Sequence, residues 1–116
     1  MPDPDAPMRL VMMIVADTDA DELIGALGEQ QISSTKVGST GGFLRRGNVT
    51  IFSGVEAAQV DAVLETVNRI CPVRTEMVPL QSLPFSGYAA FPTEPLEVRA
   101  GGAVVFVLDV ERFQRL

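Results

Sequence analysis

The stretch from Ala57 to Cys71 carries the most regular pattern in the chain. Val60, Val63, Leu64, Val67, Ile70 and Cys71 recur at three- and four-residue steps, which predicts a helix apolar on one side only. Pro72, which cannot continue a helix, predicts its end. A one-sided helix needs an apolar surface to lie on, and strand-length apolar runs supply it. Arg9 to Ala16 (RLVMMIVA) and Ala103 to Val110 (AVVFVLDV) read as core strands, with Met12 and Met13 in the core. Val49 to Val55 (VTIFSGV) reads as a third strand, with Val49, Ile51 and Ser53 toward one face and Thr50, Phe52 and Gly54 toward the other. Ile32 to Val37 (ISSTKV) reads as a further strand, and Val73 to Pro79 as a short edge strand.

A first helix is expected after Asp17, Thr18 and Asp19, any of which could cap it. Asp19 with Glu22 has the spacing of a capping box. Leu23, Ile24, Leu27 and Gln31 then fall toward one side. Gly25 and Gly28 weaken this helix by up to about 1 kcal/mol each relative to alanine, which points to close packing there. The resulting order, β-α-β-loop-β-α-(β)-loop-β, is the split βαβ or ferredoxin-like pattern. It is an α+β fold with an antiparallel sheet of four main strands and two helices on one face. Residues 8–116 form a single domain on this reading, and residues 1–7 (MPDPDAP) a loose acidic tail. Helices on one face leave the other face bare. The strands carry apolar residues toward both, so the bare face is expected to meet other subunits of an oligomer.

Composition narrows the chemistry. The chain has 116 residues, no histidine and one cysteine, Cys71, so no intrachain disulfide forms and Cys/His zinc sites and histidine-based acid–base or triad catalysis are absent. A net charge of −6 argues against a nucleic-acid polymer as partner, because a duplex binder normally shows a basic face. No apolar run approaches the roughly 20 residues that cross a bilayer, and the expected location is the cytoplasm. Asp17, Asp19 and Asp21 are read as helix-start residues favoured by the helix dipole, not as metal ligands. Cys71 is read as a buried small hydrophobe.

Residues 38–48, GSTGGFLRRGN, hold four glycines around a phenylalanine and a leucine. Gly42 and Gly47 have the spacing of a phosphate loop, but Asn48 and Val49 stand where that motif needs Lys and Ser/Thr, and a strand follows where a helix should. Two readings remain. In one, the segment is a wide hairpin whose Phe43 folds back on the sheet. In the other it is a ligand clamp, with glycine-freed amides near an anion, Phe43 as a stacking face worth roughly 1–3 kcal/mol per base, and Thr35, Thr40 and Asn48 as polar readers. Singly, Thr35 is a good strand former, Asn48 a turn residue, Gly54 a bulge or close-packing residue, and Arg45 with Arg46 a solvated tip. From Pro79 to Pro95 runs a long loop with four prolines and three aromatics, the sort of insertion that is usually functional when ordered.

The stretches STGGFLRRGNVT, DTDADEL after the first strand, and GGAVVFV near the end together resemble the PII-like cyclic-di-AMP receptor family, from about Met8 to the C-terminus. The resemblance implies a homotrimer of ferredoxin-like subunits that binds cyclic di-AMP between neighbours, has no catalytic activity and no cofactor, and signals to a downstream protein through loop ordering. Carried onto this chain, it implies that Thr35 bonds an adenine edge, that Gly42, Phe43 and Leu44 enclose the base and supply amides, and that Asn48 holds the loop and reaches the ligand. Gly54 would allow close approach, and Phe106 would complete an apolar wall. Two positions depart from the pattern: arginine is common in the family where this chain has Ser33, and glutamine where it has Arg115. On this reading Ser33 withdraws a cation from the pocket and Arg115 restores one. The exchange leaves open a different cyclic dinucleotide, an ATP- or ADP-responsive regulator, or an adaptor trimer without ligand.

Overall fold

A computed structural model describes residues 6–38, 47–78 and 96–116. The elements run β1 (Met8–Ala16), α1 (Asp17–Glu29), β2 (Thr35–Val37), β3 (Asn48–Glu56), a 3-10 turn (Ala57–Gln59), α2 (Val60–Ile70), β4 (Val73–Val78), β5 (Leu96–Gly101) and β6 (Ala103–Val110). Four strands form one sheet in the order β2-β3-β1-β6, every neighbouring pair antiparallel. This is the expected α+β arrangement, and α1 and α2 pack on one face of the sheet.

Strand alternation divides the sheet's residues between two faces. Val11, Met13 and Val15 of β1 and Val49, Ile51, Ser53 and Val55 of β3 point to the helix side and are buried. There they meet Ala20, Leu23 and Leu27 of α1 and Val63 and Val67 of α2 in the core. The register Val11↔Ser53, Met13↔Ile51 and Val15↔Val49 keeps these residues in step across the two strands. The helices are also tied to each other: Gln30 Nε2 donates to Thr66 Oγ1 at 2.7 Å, and that hydroxyl donates to Ala62 O at 2.8 Å. Pro7 O accepts the Ala57 N–H at 2.8 Å, which holds the chain just ahead of β1 against the start of the second helical segment.

Several local details differ from the sequence reading, each for a physical reason. Strand β2 is three residues long and does not begin at Ile32, because the end of α1 captures that segment. The Ile32 N–H bonds Leu27 O and the Gln31 N–H bonds Gly28 O, the paired pattern of a Schellman closure, with Ile32 and Leu27 both buried. Gln31 therefore sits at φ 61 in the left-handed region and is exposed, not on the packed side of the helix. No side chain caps the start of α1. Its N-cap is Ala16, and Asp19 has turned inward, 7% exposed, to an ion pair described below. A capping box does occur at the second helical segment, where Glu56 and Gln59 satisfy each other's backbone N–H groups.

Gly25 and Gly28 make no close approach, since a Cβ at either would meet nothing within 4 Å. Leu64, although in phase with the packed residues of α2, is 37% exposed. Met12 lies on the opposite side of the sheet from the core, whereas Met13 is fully buried. Strand β4 does not join the main sheet. It pairs with β5 as a separate two-stranded arm, from Val73↔Gly101 to Val78↔Leu96. Sequence reading missed β5, although its alternation of Leu96, Val98 and Ala100 is a strand signal. The expected loop over 79–95 lies outside the described residues.

Candidate functional site

Among the described residues, no element packs over the face of the sheet away from the helices, and on it only Thr50, at 8% exposure, is buried. The rows of this face can be read from the strand register. One row runs Thr35 (β2), Phe52 (β3), Met12 (β1) and Phe106 (β6). The next runs Gly54, Leu10 and Leu108, and on the other side Val37, Thr50, Ile14 and Val104. Phe106 is 51% exposed and Val104 and Leu108 are exposed beside it, while Leu10, Met12, Ile14 and Phe52 are half-buried. A strand that presents valine, phenylalanine and leucine outward, instead of polar residues, departs from the usual pattern of a half-solvated antiparallel sheet.

Four of the residues singled out from the sequence lie on this face: Thr35, Asn48, Gly54 and Phe106. Thr35 and Phe106 stand at the two ends of one row, three strand spacings or roughly 14 Å apart, and Asn48 and Gly54 are six residues apart on β3, about 20 Å. One subunit thus aligns these residues on a common face without gathering them around one base. Space above Gly54 is open, for a Cβ there would meet nothing within 4 Å, and the unbroken register at Gly54↔Leu10 rules out a bulge. Asn48 opens β3 opposite Ala16, directly after Gly47, whose carbonyl accepts the Asp17 N–H at 2.7 Å. The end of the glycine-rich stretch is thereby fixed to the first turn of α1. Gly42, Phe43 and Leu44 lie outside the described residues.

Ser33 is exposed in the link between α1 and β2, and Arg115 is exposed in the segment after β6. The strands nearest them in sequence, β2 and β6, are opposite edges of the sheet.

A cluster that sequence reading did not foresee lies at the base of the β4–β5 arm. Arg74 of β4 makes a two-pronged ion pair with Asp19 of α1, Nη1 to Oδ2 and Nη2 to Oδ1, both at 3.2 Å. The two are 55 positions apart, and no local pattern signals the pairing. Cys71 sits close by and is buried. Its thiol is pushed up to about 11, chiefly by burial and then by the nearby Asp19 carboxylate, against the opposing pull of Arg74. It stays protonated at neutral pH and has none of the thiolate character a nucleophilic cysteine requires. A cavity of about 280 Å³ opens between α2 and the start of β6, lined by Leu64, Val67, Asn68, Cys71, Val73 and Val105 among others. None of the residues singled out as ligand contacts lines it. Among the described residues no group of acidic or sulfur side chains has a metal-binding arrangement, and no helix is long and apolar enough to cross a membrane.

Sheet order, helix placement and the uncovered face define a small α+β domain of the ferredoxin-like type, with candidate binding residues set on a face that its own helices do not use. Residues 8–116 match the cyclic-di-AMP receptor family, and the chain belongs to that family. It is also similar, at 35% identity and a TM-score of 0.72, to the crystal structure of a functionally unknown protein from Pediococcus pentosaceus, over 96% of this chain and 99% of that one.

Proposed function

We propose that this chain is a non-enzymatic second-messenger sensor that works as a homotrimer in the cytoplasm and binds cyclic di-AMP in pockets between its subunits. The observation that carries the proposal is the uncovered apolar face, in a chain that belongs to a family of cyclic-di-AMP receptors. An exposed row of Val104, Phe106 and Leu108 beside Leu10, Met12 and Ile14 is stabilised by association, at roughly 25 cal/mol per Å² of apolar surface removed from water. Closed rotational assemblies of identical subunits bury such a face without leaving a free copy of it. In such an assembly Thr35 and Asn48 of one subunit would share with residues of its neighbour a ligand that a single subunit does not surround. Phe43 supplies the stacking face, Gly42 and Leu44 its surroundings, and the space over Gly54 admits the nucleotide. The protonated Cys71 thiol and the lack of histidine fit a binding role. Ligand-dependent order then passes to an unidentified downstream protein.

A second reading keeps the assembly and changes the nucleotide. Ser33 and Arg115 favour it, because a serine and an arginine at these positions, one ahead of β2 and the other after β6, change the charge that a nucleotide's phosphates would meet.

Thermal melting with cyclic di-AMP, cyclic di-GMP, ATP or AMP tests the assignment. A ligand at a hundredfold excess over its dissociation constant adds about 2.7 kcal/mol of stability. The expected result is a rise with cyclic di-AMP alone, reduced in Phe43→Ala by the roughly 1–3 kcal/mol of one stacked base. A rise with another nucleotide alone establishes the second reading, and no rise with any leaves an adaptor trimer.

A further inference from the structure

The first turn of α1 is held from two directions. On one side the Asp17 N–H donates to Gly47 O at 2.7 Å, which fixes the point where the glycine-rich stretch returns to the sheet, one residue before Asn48. On the other, two residues along the same turn, Asp19 receives both prongs of Arg74 from the β4–β5 arm. The arm's base is built around that arginine. Pro72 O accepts the Gly102 N–H at 3.2 Å and Arg74 Nη1 at 3.5 Å, which closes the two ends of the arm on each other. At Gly101, φ +76, other atoms take the space a side chain would need: a Cβ there would collide with Pro72 O and lie 2.6 Å from Arg74 Nη1. The glycine therefore lets the guanidinium cross the arm's base and reach Asp19. Asp19 in turn is 7% exposed, an unusual position for a carboxylate unless it is paired.

We propose that Asp19 and Arg74 are a positioning pair that couples the β4–β5 arm to the Gly47–Asn48 end of the glycine-rich stretch through the first turn of α1. The inference rests on the sensor reading above and names its regulation. A nucleotide seated against Asn48 favours one placement of Gly47, hence of the first turn of α1, hence of Asp19 and the arm. Coupling of this kind is reciprocal, so a protein that grips the arm changes nucleotide affinity by the same factor that nucleotide changes the grip, typically about 5- to 150-fold. The path is short and physical: one backbone hydrogen bond, one turn of helix and one two-pronged ion pair.

Amide hydrogen exchange on the intact chain, with Asp19→Asn and Arg74→Gln, tests it. Asp19→Asn keeps shape and removes the carboxylate charge, and Arg74→Gln removes the guanidinium and shortens the side chain, so each breaks the charge pairing. In the nucleotide-free protein we expect exchange at the Asp17 amide to rise on the order of tenfold in Arg74→Gln, although Arg74 does not touch that amide. Exchange at Gly102 should rise with it, while central amides of β1 and β3 such as Met13 and Ile51 keep their protection. Wild-type protection at Asp17 in both variants overturns the proposal, and so does an equal rise at every amide, which would make the pair a general stabiliser. Where either single variant loses the fold, the charge-reversed double variant Asp19→Arg/Arg74→Asp decides: restored Asp17 protection supports the pair, and its failure to restore it overturns the coupling. Adding cyclic di-AMP to wild-type protein and to Arg74→Gln gives the second arm, with affinity expected to fall at least fivefold in the variant and unchanged affinity overturning the coupling. If wild-type protein binds no nucleotide, the sensor reading fails, while exchange at Asp17 still decides whether the arm and the loop end are linked.

Discussion

The two faces of the main sheet are made from the same strands, residue by residue in alternation, and they end in opposite states. On the helix side, Val11, Met13, Val15 and Ile51 lie at 0–1% exposure under α1 and α2. On the other side, Phe106 is 51% exposed with Val104 and Leu108 beside it. Both faces are apolar, so composition does not separate them. Supply of covering elements does: a βαββαβ chain has two helices, and the right-handed crossovers place both on one face. The subunit thus completes one core and presents half of another. Function is expected on the second face, where surface is left to be shared.

Substitutions at matched depth on the two faces give the largest contrast. Leu23→Ala removes a fully buried side chain of α1 from the closed core and should cost about 2–5 kcal/mol, read as a lower denaturant midpoint with assembly intact after correction for unfolded protein. Phe106→Asp should do the reverse, leaving far-UV circular dichroism unchanged while sedimentation shows monomers. A folded assembly that survives Phe106→Asp would break the comparison. The smallest effect concerns the closure of α1. Gln31 holds a left-handed conformation that costs a residue with a side chain roughly 1–2 kcal/mol, partly offset in glycine by the greater freedom of its unfolded chain. Gln31→Gly should raise stability by up to about 1 kcal/mol without altering assembly or nucleotide response, which would sharpen the separation of the helix side from the open side.

Much of this architecture was legible in the sequence, because it rests on period. The two-residue period of Val49 to Val55 assigned both faces of β3 correctly, and the three- and four-residue steps of α2 placed Val63 and Val67 in the core. Pattern failed where a local motif competed with it. Ile32 looked like the first residue of a strand and instead closes a helix, because burial of Ile32 against Leu27 rewards that ending. The strand β5 was missed because its alternation is short and begins right after a proline-rich stretch. The Asp19–Arg74 pair could not be read at all. It joins residues 55 positions apart, and Asp19 has an ordinary local explanation as a helix-start residue. On the candidate site, sequence supplied residue types and the family; the structure added that Thr35, Asn48, Gly54 and Phe106 share the uncovered face, too widely spread to enclose one base in a single subunit.

Native mass spectrometry of the wild-type protein and Phe106→Asp, each titrated with cyclic di-AMP, tests the central claim most directly. The account predicts wild-type trimers that take up to three nucleotides, and Phe106→Asp monomers that are folded and take none. Monomers that bind cyclic di-AMP as tightly as the assembly, or trimers that bind none, would contradict it.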